Sequence, residues 1–218
     1  MPRLLFEKKG NAVWISHLDL MRLFQRAFKR AGLPLKHTQG FNPRPSVSIA
    51  LPLSVGVESV CELLDFEVTE EVSCEDIRDR LNDVLVDGIR VLNVFENGRK
   101  IRELSLLHCI VTMEYDNGIP ENAVDTISEL FGRSCVTAPK KTKSGIQEQD
   151  LIPMIRRIAV SQKDHNTIEL DALVCCQNPT LNPAQLALAV GIHLPELKPD
   201  FSSSRRLEIY DEKETVFR

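Results

Sequence analysis

Between Ser16 and Ala31 apolar residues recur at Leu20, Leu23, Phe24, Ala27, Phe28 and Ala31, the spacing of one face of an α-helix, until Gly32 and Pro34 stop the run. Ser16 and Asp19 open it as an S-x-x-D variant of the capping box. Upstream, Arg3 to Lys9 alternates apolar and polar positions as a strand does, and Gly10-Asn11 is a turn signal that closes it. Downstream, Ser46 to Ala50 and Glu58 to Thr69 read as strands joined by the LPLSVG turn. Cys74 to Val86 reads as a second amphipathic helix capped by Ser73, and Ile89 to Phe95 as a strand ending at the polar break Glu96-Asn97-Gly98-Arg99-Lys100. The order β-α-β-β-α-β predicts a ferredoxin-like unit, an antiparallel sheet with both helices on one face.

The second half repeats the pattern in part. Strands are expected at Leu106 to Tyr115, Ser134 to Ala138, Met154 to Ser161, Thr167 to Cys175 and Arg205 to Asp211, with helices at Asn122 to Phe131 and Pro183 to Val190. Pro139 to Gln149, PKKTKSGIQEQ, has no apolar periodicity and reads as an exposed loop. The expectation is an α+β chain of two ferredoxin-like (βαββαβ) domains in tandem, residues 1–99 and residues 100–218, the second decorated.

Charge is distributed unevenly over this arrangement. Met1 to Val57 carries nine Lys/Arg against Glu7 and Asp19 alone, so it is +7 within a chain whose formal net charge is -4, and the remainder is -11. No acid appears between Asp19 and Glu58, while Arg22, Arg26, Lys29, Arg30, Lys36 and Arg44 all fall in that gap. Arg22, Arg26 and Arg30, four residues apart, form a basic ridge beside the apolar stripe. A local basic face of this kind suits an anionic partner such as a phosphate backbone. No apolar run approaches the ~20 residues that span a bilayer, and the N-terminus MPRLLFEKKG lacks a signal-peptide core, so the expected location is the cytoplasm with no membrane partner. The six cysteines show no C-x-x-C, and adjacent Cys175 and Cys176 would point to opposite faces of a strand. They read as reduced thiols, and no metal and no cofactor is expected.

Several residues carry candidate chemistry. His17 follows the N-cap Ser16, where a helix N-terminus favours a neutral imidazole and attracts anions; it is either a base or anion-side ligand, or a histidine that supports the cap. In Gly40-Phe41-Asn42-Pro43-Arg44-Pro45 the glycine permits positive φ and the prolines fix φ on either side of Arg44. A loop so stiffened would hold Phe41 to stack on a base and Arg44 to pair with phosphate, unless Phe41 plugs the core beneath a structural turn. Lys140, Lys141 and Lys143 form a second, short basic cluster; Arg156-Arg157 and Arg205-Arg206 would each place one side chain on either sheet face. Asn182 reads as the N-cap of the helix that begins at Pro183. The chain has no G-x-x-x-x-G-K-[ST], G-x-G-x-x-G, G-x-S-x-G, H-E-x-x-H or C-x-x-x-C-x-x-C, which argues against a self-contained nucleotide-driven, hydrolytic or radical enzyme.

The run I-S-H-L-D-L-x-R, then R-A-x-x-R-A-G-L-P, G-F-N-P-x-P and A-L-P-L-x-x-G-x-x-S, dense over Leu4 to Asp65, resembles the radical-SAM-linked proteins, a domain of unknown function. The K-K-x-x-K-x-G-x-x-E-x-D-L run from Lys140 to Leu151 and the N-P-x-L-N-P tract are similar to that family's second half. The resemblance implies a partner, a radical-SAM protein with a cobalamin-binding-type domain, to which family members are fused or beside which they are encoded. This chain lacks the three-cysteine cluster motif, so the radical chemistry would belong to the partner. Where the family has an aromatic before T-Q-G-F, this chain has His37.

Three functions fit these residues. The first is a non-catalytic accessory or substrate-presenting subunit for a radical-SAM enzyme, binding ribosomal or transfer RNA through Ser16, His17, Asp19, Arg22, Arg26, Arg30, Gly40, Phe41, Asn42, Arg44, Lys140 and Lys141. The second is a metal-independent endoribonuclease of tandem ferredoxin-like domains with His17 or His37 as general base. The third is a pure protein-interaction module that docks the same face on an acidic surface.

Overall fold

The structure is a computed structural model. It describes residues 1–142 and 145–218; the side chains of Lys141 and Thr142 lie outside the described residues, as do Lys143 and Ser144 altogether. The chain is α+β. It divides into two compact units, Met1–Glu103 with Phe217–Arg218, and Leu104–Val216.

The first unit runs β1 (Arg3–Lys8), α1 (His17–Arg30), β2 (Val47–Ile49), β3 (Glu58–Phe66), α2 (Cys74–Asn82) and β4 (Ile89–Phe95). The strands lie in the order β4-β1-β3-β2, each antiparallel to its neighbour. The apolar stripe of α1 dictates its seat: Leu20, Phe24, Ala27 and Phe28 are buried against Leu4 and Phe6 of β1, Leu64 and Phe66 of β3, and Ile77 and Leu81 of α2. Both helices therefore share one core, with Phe6 meeting Phe24 edge-on at 4.8 Å between ring centroids and Phe28 tilted on Phe66 at 5.0 Å. Each large side chain buried here contributes about 2 kcal/mol.

Two buried cations, unforeseen in the sequence, pin the ends of β1. Lys8 is fully buried and its Nζ donates to the carbonyls of Val13 (3.1 Å) and Ile15 (2.9 Å), so it fixes the 3-10 turn Gly10–Trp14 that leads into the N-cap of α1. Arg3 donates through Nε and Nη2 to the Asp65 carboxylate at 2.6 and 3.0 Å, and the guanidinium groups of Arg3 and Arg99 each stack on the Phe217 ring, 5.2 Å from its centroid. Gly98 permits that arrangement, because a Cβ there would stand 2.7 Å from Arg3 Cζ.

The second unit runs β5 (Leu104–Glu114), α3 (Ala123–Phe131), β6 (Thr137–Thr142), β7 (Gly145–Asp150), β8 (Ile155–Gln162), β9 (Thr167–Cys175), α4 (Ala184–His193) and β10 (Phe201–Asp211). Its main strands follow the order β10-β5-β9-β8, again antiparallel. Leu107, Cys109, Val111 and Met113 alternate into the core as a half-buried strand requires.

The tract Pro139 to Gln149 corrects the sequence reading: it is a two-stranded hairpin, β6 and β7, paired from Thr137↔Asp150 to Thr142↔Gly145. Along β7 both faces meet water, with Ile146, Gln147 and Glu148 exposed, so no apolar alternation marks that strand. Its base is held instead by buried Val136, Ala138 and Leu151 and by the Asp150 carboxylate, which accepts from the Val136 N–H at 3.0 Å. The short strand read at Ser134 to Ala138 is absorbed into β6. Arg156 and Arg157 are both exposed, and β8 changes register between Ile155 and Arg157. Arg206 is buried and Arg205 exposed. α2 ends at Asn82, four residues early, where the Asn82 side chain pairs with the Val91 N–H (2.8 Å) and carbonyl (2.9 Å).

Candidate nucleic-acid interface

The start of α1 is a closed hydrogen-bond ring. The Ser16 hydroxyl accepts from the Asp19 N–H (3.2 Å) and donates to Asp19 Oδ2 (2.8 Å), and Asp19 Oδ1 accepts from Arg22 Nη1 at 3.1 Å. The Ser16 hydroxyl and the Arg22 guanidinium together hold the Asp19 carboxyl below its ordinary value. Ser16 and Asp19 are thus cap residues.

Four residues apart, Arg22, Arg26 and Arg30 line one groove of about 420 Å³, closed on its far side by Val84 and Val86 from the segment between α2 and β4. Arg22 leans on Asp19, while Arg26 and Arg30 form no ion pair among the described residues. On the opposite flank of α1 a second groove, of about 630 Å³, is lined by Gln25, Lys29, His37, Pro45 and Glu70. Its floor is shaped by the end of α1: Gly32 has φ +65°, and Arg80 of α2 donates through Nε and Nη2 to the carbonyls of Ala31 (2.9 and 2.6 Å) and through Nη2 to Gly32 (2.8 Å). A guanidinium at a helix C-terminus satisfies carbonyls that have no partner within the helix.

The loop beyond that groove is built as a small hairpin arm. Ser46 N–H donates to the Lys36 carbonyl, Thr38 N–H to the Arg44 carbonyl, each at 2.8 Å, and Arg44 N–H to Thr38 Oγ1 at 3.0 Å. Gly40, at φ +134°, turns the tip. Gly40, Phe41, Asn42 and Arg44 are all exposed, and Phe41 stands entirely in solvent at 112% relative exposure. The core-plug reading of Phe41 is overturned. The arm is joined to α1 through the second groove, where His37 and Pro45 at its base face Lys29, whereas Arg44 lines neither groove.

Two expected site residues, His17 and Lys140, have other surroundings. His17 does not project freely from the helix end: it is half-buried, and its Nδ1 is shut from solvent without a hydrogen-bond partner among the described residues. Helical spacing puts it on the same side as Phe24, seven residues on, which explains the burial. Lys140 belongs to the second unit and donates through Nζ to the Thr180 carbonyl at 3.0 Å, so it ties β6 to the N-P-T-L-N-P tract. The side chain of Lys141 lies outside the described residues. A pair the sequence did not suggest, His108 Nε2 and Asp171 Oδ1 at 2.8 Å, joins β5 to β9; the partners are 63 residues apart in the chain, and no local motif announces them.

Burial pushes the thiols of Cys109 and Cys176 up to about 12, which leaves them without nucleophilic thiolate at neutral pH. Among the described residues no three His, Cys, Asp or Glu side chains converge as a metal site would require, and no helix is long and apolar enough to cross a membrane.

No curated protein matches the chain. Among solved structures, a chain of the crystal structure of a Cbf5-Nop10-Gar1 complex shares its fold at a TM-score of 0.56 and 11% identity, over 97% of this chain and 50% of that one. A chain of the archaeal box H/ACA sRNP Nop10-Cbf5 complex aligns at a TM-score of 0.48 and 9% identity, over 94% of this chain and 46% of that one. This chain spans about half the length of the solved chains it matches. Residues 2–183 match a family described as an uncharacterized protein conserved in bacteria, DUF2344, and the chain belongs to that family.

Proposed function

We propose that this chain is a non-catalytic, RNA-binding accessory subunit that presents its substrate to a radical-SAM enzyme with a cobalamin-binding-type domain. The observation that carries RNA binding is the double flank of α1: Arg22, Arg26 and Arg30 on one side, Lys29 and His37 on the other, and beyond them an arm that holds Phe41 in open solvent. Cations spaced along a helix follow a phosphate backbone, and a fully exposed phenyl ring on a stiff loop is a stacking platform for an unstacked base. The partner assignment rests on the motif resemblance at Leu4 to Asp65. The strand orders β4-β1-β3-β2 and β10-β5-β9-β8 support a ferredoxin-like reading of each unit, the second decorated by the β6–β7 hairpin.

The test is binding of a labelled single-stranded RNA across a salt series. Arg22→Glu with Arg26→Glu is expected to weaken binding and to flatten the log-log salt slope by roughly one unit per lost phosphate contact. An unchanged slope removes RNA from this face. One observation favours the endoribonuclease alternative, namely that His37 is exposed in a groove beside Lys29. RNA cleavage by the purified chain in chelator, lost in His37→Ala, would replace the accessory-subunit reading.

A further inference from the structure

The groove between α1 and the Phe41 arm has the chemistry of a base pocket. Pro34, Leu35 and Pro45 give it an apolar lining suited to a flat ring, and its volume of about 630 Å³ falls within the usual range for small-ligand sites. Its polar groups are of two opposite kinds. Lys29 is a donor only, Glu70 an acceptor only, and neither has an ion-pair or hydrogen-bond partner among the described residues, whereas neighbouring Lys36 is already engaged by Glu67 at 3.5 Å. Gln25 adds an amide that can both give and accept.

We propose that this groove binds a single unstacked guanine base of the RNA. Guanine presents two adjacent donors, N1–H and the N2 amino group, which a carboxylate accepts together, and on the same ring the O6 and N7 acceptors that a lysine reads. Adenine, cytosine and uracil offer a carboxylate no such donor pair. The inference rests on the RNA reading above and adds the identity of one base to it. Phe41 and the arginine groove would hold neighbouring nucleotides without selecting among them.

The experiment compares four labelled oligouridylates that carry G, A, C or U at one central position, binding to the full chain at one salt concentration. The G-containing strand is expected to bind about tenfold tighter than the other three, and Glu70→Gln to cut that preference to about twofold. Equal melting curves for the wild type and the exposed-site variant exclude unfolding as the cause. Equal binding of all four strands by the wild type, or a preference that survives Glu70→Gln, overturns the guanine pocket and leaves the RNA reading standing. Binding of none of them overturns both.

Discussion

Asp19 links the fold to the basic ridge, since its carboxylate completes the cap ring with Ser16 and anchors Arg22. Because the folded state holds this carboxyl below its ordinary value, the stabilisation it gives is present above the unfolded carboxylate range and is lost as pH falls through the folded value. Asp19→Asn is therefore expected to be less stable than the wild type near neutral pH and to converge with it in acid, as denaturation midpoints across a pH series would show. Ser16→Ala should cost about 1 kcal/mol in the same assay at neutral pH. The S-x-x-D spacing made both residues legible in the sequence. Phe41 was half legible: Gly40, Pro43 and Pro45 announced a stiff loop, but whether its ring faces core or water depends on the Lys36 to Ser46 rungs, which no local pattern encodes. Lys8 was not legible at all, because the two carbonyls that justify burying it belong to the backbone.

Among elements, α1 was the easiest to read and the β6–β7 hairpin the hardest, for one reason. The helix buries a stripe and so displays a period, while the hairpin exposes both faces of Ile146 to Glu148 and displays none. The stop at Gly32 was visible; its mechanism was not. Arg80, 49 residues from Ala31, occupies the space that a Cβ at Gly32 would need, with Nη2 2.9 Å from that position, and the glycine already sits at positive φ. Gly32→Ala is accordingly expected to destabilise the first unit by roughly 1 to 2 kcal/mol through backbone conformation, with a further loss from displaced Arg80 bonds. Thermal unfolding of Gly32→Ala beside Arg80→Ala would separate the two, since the double variant should cost less than the sum if both act through the same carbonyls.

At the scale of the molecule the α+β class and, apart from the β6–β7 hairpin, the order of the main elements followed from periodicity and turn residues, but the membership of the last two residues did not. Phe217 is fully buried, and it belongs with Met1–Glu103 through its contacts with Arg3 and Arg99. Phe217→Ala is expected to cost about 3 to 5 kcal/mol and to speed amide exchange in β1, where Arg3 would lose its covering ring. That seat also imposes an order in time. A ribosome delivers Arg3 first and Phe217 more than two hundred residues later, at a rate of about 5 to 20 residues per second. For the roughly ten seconds or more that this takes, the nascent first unit holds a guanidinium whose aromatic cover has not yet been made. The first unit thus receives Phe217 only after the second unit has been synthesised, which leaves a chaperone a defined interval in which to find Arg3 uncovered.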